Sequence, residues 1–543
     1  MTILDNVISQ ISPQWALNRQ VARKRLQAFN DMCDGDGYGK HGASKRKNVF
    51  RGWFTSGKDA DADIVENIGD LRERSRDLFM GAPLATGALK TVRTNVVGSG
   101  LMLAAKPDAK FLGLTEDQAQ EWKEHVEREW RLWSGSVNCD AERNLNFYQL
   151  QALVMLSALM NGDVFVTTPY VPRAGSVYQL CVGLIEADRV CDPENPLPPS
   201  DANILGGVEI GEYGETVAYW ICDQHPNAAP RTTTKFEKKW TRVLAFGEKT
   251  GRRNVLRVMS DVERPAQRRG VPLLAPVIES LKQLSRYSEA ELMAAVVSGM
   301  FTVFIKSNNP AEGVAGMPMP GWGYNPEAVK QDDKDPANYA MGNGSIVMLE
   351  DGEEVQTANP GRPNTAFDGF VTAICRQIGA ALELPYELLL KHFTASYSAS
   401  RGALLEAWKM FRMRREWLTD GFCQPVYEEF LTEAVLRGRV QAPGFFDDPV
   451  IKAAWCGADW FGDCQGQLDP LKEANAAKVR VDEGFSTRER ESAELTGMKY
   501  DDIHVVRKRE EDMRKRDGLT PGAAQNAPAP ATNGDGNDDG NEE

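Results

Sequence analysis

The segment PLLAPVIESLKQLSRYSEAELMAAVVSG, residues 272–299, places Leu274, Ile278, Leu281 and Leu284 on one face at helical spacing. At about 1.5 Å per residue such a helix approaches roughly 40 Å, so it reads as a rod. It runs into the β-rich Phe301-Thr-Val-Phe-Ile305, then a Gly-, Pro- and Asn-rich excursion as far as Gly344, a strand-like run at 346–349 and an acidic turn. Phe367, Phe370, Val371, Ile374, Ile378 and Leu382 define a second rod. It must stop before Pro385, because a residue preceding proline is pushed out of the helical region. The pattern is rod, small insert, rod.

Downstream, a polar loop at 385–400 carries Lys391, His392, Thr394, Tyr397 and Ser398. A third, longer helix follows with Leu404, Leu405, Trp408, Phe411, Leu418, Phe422, Val426 and Val435, and Pro425 predicts a kink near 421–425. Beyond Pro443, Asp469-Pro470 reads as an N-cap and first helical residue, Gly484 as a stop, Ser486 to Glu489 as a capping box and Gly497 as a second stop. Upstream, from about Ile64 to Gly270, helices and strands mix. A helix starts at Pro83 and stops at Gly98, and a capping box from Thr115 to Gln118 opens another carrying Trp122, Val126 and Trp130. A helix over 147–161 stacks Leu150, Val154 and Ala158, stops at Gly162 and hands over to a strand at 164–168; 208–210 and 216–222 read as a hairpin. The fold class is α+β.

At 543 residues the chain exceeds the size at which one hydrophobic core stops growing, so two to four compact units are expected. No apolar stretch reaches about 18 residues and no export signal is present, which argues against a membrane span. Nine scattered cysteines without a Cys-x-x-Cys pair, and only five histidines, indicate neither a disulfide framework nor a zinc cluster and suit a reducing cytoplasm. The net charge of −14 has the wrong sign for gripping DNA but suits letting it slide. Between Arg19 and Lys58, however, ten Lys or Arg face three Asp: a basic, poorly packed arm suited to nucleic acid, to a solvated tether or to contact with partner proteins. Residues 518–543 hold five acids, no basic residue and no aromatic, and are expected to be disordered.

Motifs with a chemical reading are weak. Gly52 to Lys58 has P-loop spacing, but Asp59 replaces the hydroxyl that should hold magnesium, and no strand precedes it. Gly35, Gly37 and Gly39 lack the strand and helix of a dinucleotide site and read as a hinge. His125, His225, His392 and His504 lack a second ligand at metal spacing, and Gly98-Ser99-Gly100 fits a helix stop better than a nucleophile elbow. Asp188 and Asp192 could form a nuclease pair, but structural use is the simpler reading. Arg412, Arg414 and Arg415 are offset by Glu406, Glu416 and later acids, so intersubunit or intrahelical pairing is expected rather than phosphate contact, and Trp408 and Trp417 are expected to be core. No catalytic residue, cofactor site or metal site emerges, and an enzyme is not expected.

Several stretches resemble the lambda-type portal proteins of tailed bacteriophages: Arg72-Glu-Arg-Ser-Arg76, Asn95-Val-Val-Gly-Ser-Gly100, Ala158-Leu-Met-Asn-Gly-Asp-Val-Phe165, Glu186-Ala-Asp-Arg-Val190, Arg269-Gly-Val-Pro272, Gly379-Ala-Ala-Leu-Glu-Leu-Pro-Tyr386, Ser396-Tyr-Ser-Ala-Ser-Arg401 and Gln424-Pro-Val-Tyr427. The resemblance implies a homo-oligomeric ring, usually of twelve subunits, at one capsid vertex. It implies a conduit for double-stranded DNA in packaging and ejection, contacted by terminase, major capsid and scaffold proteins and head–tail adaptor proteins, with no membrane. It also implies a portal fold. After the arm at 1–63 come a mixed α/β wing at 64–271, a first stem helix at 272–299 with Arg286 and a small β-containing clip at 300–363. A second stem helix at 364–384, with Phe370 and Arg376, leads to a tunnel loop at 385–400. There Lys391, His392, Thr394, Tyr397 and Ser398 would meet DNA. A long wing helix at 401–440 kinked at Pro425, an α-helical crown at 441–517 and the acidic tail at 518–543 complete it.

Overall fold

The structure is a computed structural model and describes residues 12–33, 42–44, 47–194, 203–228, 238–259, 261–299, 303–307, 353–357, 367–393, 397–466 and 469–519. The chain divides into two compact units, Met1–Asp59 and Ala60–Glu543. The first contains helix α1 (Pro13–Cys33) and a 3-10 turn at Asn48–Phe50. The two rods and the mixed N-terminal block do not separate; they share the second unit.

That unit opens with α2 (Ala60–Val65), α3 (Ile68–Gly81) and α4 (Pro83–Val96), then strand β1 (Met102–Ala105), α5 (Ala109–Leu112), α6 (Glu116–Ser134) and α7 (Phe147–Asn161). Strands β2 (Asp163–Thr167), β3 (Gly183–Ile185), β4 (Ile204–Leu205), β5 (Val208–Ile210), β6 (Thr216–Cys222), β7 (Trp240–Leu244) and β8 (Val255–Met259) follow. They form an antiparallel three-stranded sheet in the order β3-β2-β8 and a four-stranded meander β4-β5-β6-β7. The capping box at Thr115 and Gln118 forms as read, and Asn146 and Gln149 make a second one at the start of α7.

The first rod is shorter than its periodicity suggests. Leu274 and Leu284 are buried in the core, but Pro276 sits in a 3-10 turn at Ala275–Val277, and the α-helix proper, α8, spans Ile278–Gly299. A proline in the first turn donates no hydrogen bond, and this leaves a helix of 22 residues, about 33 Å long. Strand β9 (Val303–Ser307) pairs antiparallel with β10 (Glu353–Thr357), which the sequence presents as an acidic turn; the run at 346–349 lies outside the described residues. The second rod is α9 (Phe367–Ala381).

The polar loop is not wholly a loop. Tyr386–Leu390 forms a helical turn, α10, whose Leu389 is buried, and α11 begins at Tyr397 and runs to Leu418. Leu388, Leu389 and Leu390 supply the apolar contact that polar neighbours obscure in the sequence. Where the kink is expected, Pro425 cannot donate to the carbonyl four residues back, and a π-turn at Thr419–Cys423 separates α11 from α12 (Gln424–Leu436).

The C-terminal region is helical only in part. After α13 (Pro449–Trp455), strand β11 (Ala458–Phe461) returns to pair with β1, joining residues more than 350 apart. Then come α14 (Pro470–Asp482), α15 (Arg488–Thr496) and α16 (Tyr500–Arg516). Asp469 caps α14 as expected, but Thr487 rather than Ser486 caps α15, its hydroxyl accepting from the Arg490 amide.

Among the described residues the largest core of the second unit has Trp130 as its aromatic centre, and two smaller clusters form around Phe165 and Trp220. The Trp130 ring lies 5.1 Å from Phe147, 5.7 Å from Tyr427, 5.1 Å from Phe430 and 5.8 Å from Trp460, so α6, α7, α12 and β11 meet on one indole. Polar matching accompanies this burial. The fully buried Gln151 of α7 accepts from the Leu101 amide at 2.7 Å and donates to its carbonyl at 3.1 Å, fixing the entrance to β1. Replacing Gln151 by Leu leaves both backbone groups dry, and should cost about 3 kcal/mol in chemical denaturation; a loss within error of zero would show that another partner satisfies them.

Candidate channel segment and the ionic cluster behind it

Asp163 starts β2 directly after Gly162, the residue that ends α7 with φ of 91°. A side chain at Gly162 would overlap the Gly270 carbonyl, so the two backbone stretches touch. The Asp163 carboxylate is fully buried and accepts from Arg72 Nη2 at 2.8 Å, Arg269 Nε at 2.8 Å, Arg269 Nη2 at 3.2 Å and the Gly270 amide at 2.9 Å. Arg269 also donates to the carbonyls of Val190, Gly206 and Ala187, and its guanidinium lies 5.2 Å from the Phe165 ring centre. Arg72 donates to the Asn161 carbonyl at 2.9 Å and to Asp188 at 3.3 Å. Burial alone would push the Asp163 carboxyl up; Arg269 and Arg72 overcome it and hold the group below its ordinary value. Burial lowers Arg72 to about 10, which is still protonated at neutral pH.

Asp188 extends this cluster outward. It pairs with Arg76 and lies 3.1 Å from His225 Nε2, while Arg76 Nη2 lies 3.4 Å from Glu186. His225 therefore does meet two carboxylates in space, a grouping its sequence spacing conceals. Arg72 and Arg76 already neutralise those carboxylates, so the arrangement is an ion-pair network rather than a ligand set waiting for a cation. Asp192 is not part of it; its carboxylate accepts from the Gly207 amide at 2.7 Å. Ser99 donates through amide and hydroxyl to Asp463, both at 3.0 Å, which makes it a joint between α4 and the C-terminal region.

The channel candidates lie elsewhere. Lys391 is exposed and left-handed, with φ of 53°, its amide closing α10 on the Glu387 carbonyl. The exposed His392 donates its amide to the same carbonyl at 3.0 Å. Lys391 and Phe393 line a groove of about 710 Å³ against α4, shared with Lys90, Thr86 and Thr94. Thr394 lies outside the described residues, while Tyr397 and Ser398 open α11. On the rods, Tyr287 of α8 stacks on Phe367 at 5.4 Å and meets Phe370 edge-on at 5.1 Å. Arg286 is exposed beside it, and Arg376 lies 5.4 Å over the Tyr386 ring, tying α9 to α10.

Two of the arginines of α11 find partners within the chain but off their own helix. Buried Arg414 reaches Asp261 at 3.3 Å and Glu383 at 3.9 Å, and Arg415 donates to the carbonyls of Val96, Asn95 and Asp463 while lying 5.6 Å over Trp408. Trp408 is core, and Trp417 is half-buried. Gly52 to Lys58 follows the 3-10 turn at Asn48–Phe50 rather than a strand, and Gly35 to Gly39 lies outside the described residues. Among the described residues no helix is long and apolar enough to cross a membrane.

Residues 46–415 match the family described as phage portal protein, lambda family. The chain is 25% identical to portal protein B of Escherichia phage lambda over 89% of its own length and 91% of that protein. It is 24% identical to the portal protein of Escherichia phage N15 over 87% and 90%. A chain in the neck of a native gene transfer agent particle is similar at 14% identity, covering 78% of this chain and 92% of its own, with a TM-score of 0.41, too loose to carry weight. With a mixed helix-and-sheet fold and more than half its length matched, this chain belongs to the lambda family of phage portal proteins.

The ionic cluster is expected to contribute to the acid limb of stability. Asp163 and Asp188 both sit below the ordinary carboxyl value of 3.8, so their stabilisation is complete above it and is lost as pH falls through their lower folded values. Asp163→Asn leaves two arginines facing a neutral amide and should cost about 3–5 kcal/mol at neutral pH. It should also flatten the acid limb of stability against pH. An unchanged acid limb would show that other carboxylates control it.

Proposed function

We propose that twelve copies of this chain form a ring at one vertex of a phage head, through which double-stranded DNA passes inward during packaging and outward at ejection. The observation that carries the reading is that the β9–β10 ladder joins the C-terminal end of α8 to the N-terminal end of α9, and that Tyr287 locks those two helices side by side. Twelve helices about 10 Å wide enclose a ring with axes at a radius of roughly 19 Å, and leave a bore somewhat under about 30 Å. A duplex fits it.

In this reading residues 64–271 are the wing, α8 and α9 the stem, and 300–363 the clip that meets terminase and then the head–tail adaptor. Residues 385–400 line the narrowest part, α11 and α12 return to the wing, and 441–517 form the crown. Capsid and scaffold proteins surround the ring. The ring itself does no chemistry; ATP-driven translocation belongs to the terminase. Net charge supports passage over retention, because each phosphate neutralised by a fixed cation adds salt-dependent grip. At −14 per chain the conduit as a whole repels DNA, and a circle of Lys391 side chains supplies transient contact.

Electron microscopy of the purified protein should show rings with a central hole; solid or open assemblies would overturn the conduit. Lys391→Asn removes the charge while suiting the left-handed backbone, and Lys391→Glu reverses the charge. Both should form rings, with packaged DNA reduced by Lys391→Asn and reduced further by Lys391→Glu. Wild-type packaging and retention in both would remove Lys391 from the channel.

A further inference from the structure

We propose that the N-terminal unit carries a second binding site for double-stranded DNA, separate from the channel, which engages phosphates through α1 and through the segment at 47–58. This goes beyond the conduit and does not need it. Between Arg19 and Lys58 the excess of basic over acidic residues is seven, in a chain whose net charge is −14. The charge is therefore segregated into one unit, and that unit is compact by itself.

The cations are placed for a polyanion. Arg19, Arg23, Lys24 and Arg25 are all exposed and fall within seven residues of α1, about 10 Å of helix, against a duplex that carries one charge per roughly 1.7 Å. Arg23, Lys24 and Arg25 project about 100° apart around the axis, so they face three directions. A flat acidic protein surface could meet one of those directions. A duplex whose groove or paired strands flank the helix could meet all three. The segment at 47–58 repeats the theme with exposed Lys47, Arg51 and Lys58 around Trp53 and Phe54, which are 67% and 94% exposed. Clustered, exposed cations on one unit are the electrostatic footprint of surfaces that hold a duplex through its phosphates.

The test uses assembled full-length rings and a fluorescent, covalently closed circular duplex. Such a circle has no end to thread a channel, so failure of this inference and failure of the conduit are distinguishable. Wild-type rings should bind the circle with affinity falling steeply between about 50 and 200 mM salt. Rings carrying Arg19→Glu, Arg23→Glu, Lys24→Glu and Arg25→Glu together should bind at least about tenfold more weakly, with a salt slope shallower by about 3–4 per arm engaged. The matching Gln variant, which keeps helix propensity, should show the same direction and stands in if the Glu variant does not assemble. Retention of wild-type affinity and salt slope by these variants would overturn the proposal. So would equal binding of polyglutamate by wild-type rings, which would assign the arm to an acidic protein.

Discussion

A carboxylate buried away from bulk solvent, Asp163, is the constraint on which the architecture rests. Removing such a charge from solvent costs several kcal/mol unless fixed opposite charges replace the lost hydration. Here they come from two distant places, Arg72 on α3 and Arg269 in the segment that follows β8. Because Gly162 and Gly270 touch backbone to backbone, neither partner can drift without exposing the ion. Leu273 follows at once, donating its amide to the Leu159 carbonyl at 2.9 Å, and the chain enters α8. The position of the first rod is thus set by an electrostatic tie between helices and sheet.

The second rod and the long helix depend on softer contacts. α9 ends at a left-handed Glu383, α10 packs Leu389 inward, and Arg414 reaches back to Glu383 and Asp261 at longer ion-pair distances than those around Asp163. Burial pushes the Asp261 carboxyl up, so this second tie is weaker than the first. Beside it the π-turn at Thr419–Cys423 interrupts the helix.

Much of this was legible in the residues. Periodicity located α7, α9 and the hairpin of β5 and β6, and proline chemistry located the π-turn, because these depend on neighbours in sequence. The α10 turn was hidden by its polar flanks, and the pairing of β1 with β11 by distance along the chain, since a four-residue strand carries no mark of its partner. The ionic cluster shows the same limit. Arg72, Asp163, Asp188 and Arg269 all lie within or beside the stretches that resemble the portal family, yet nothing in spacing says that they converge, and the meeting of His225 with Asp188 follows only from the fold. The partners of Arg414 could not be read from its own helix, because Asp261 and Glu383 lie far from it in sequence and are brought to it by the fold.

Hydrogen exchange of the wild-type protein against Asp163→Asn, at neutral pH and residue by residue, measures directly whether one buried carboxylate holds these layers together. The account predicts that amides of α3, β2, β8 and the first turns of α8 lose protection together and by a similar factor, while those of α6 and α12 around Trp130 keep theirs. Loss confined to the residues adjoining position 163, with α8 unchanged, would contradict it.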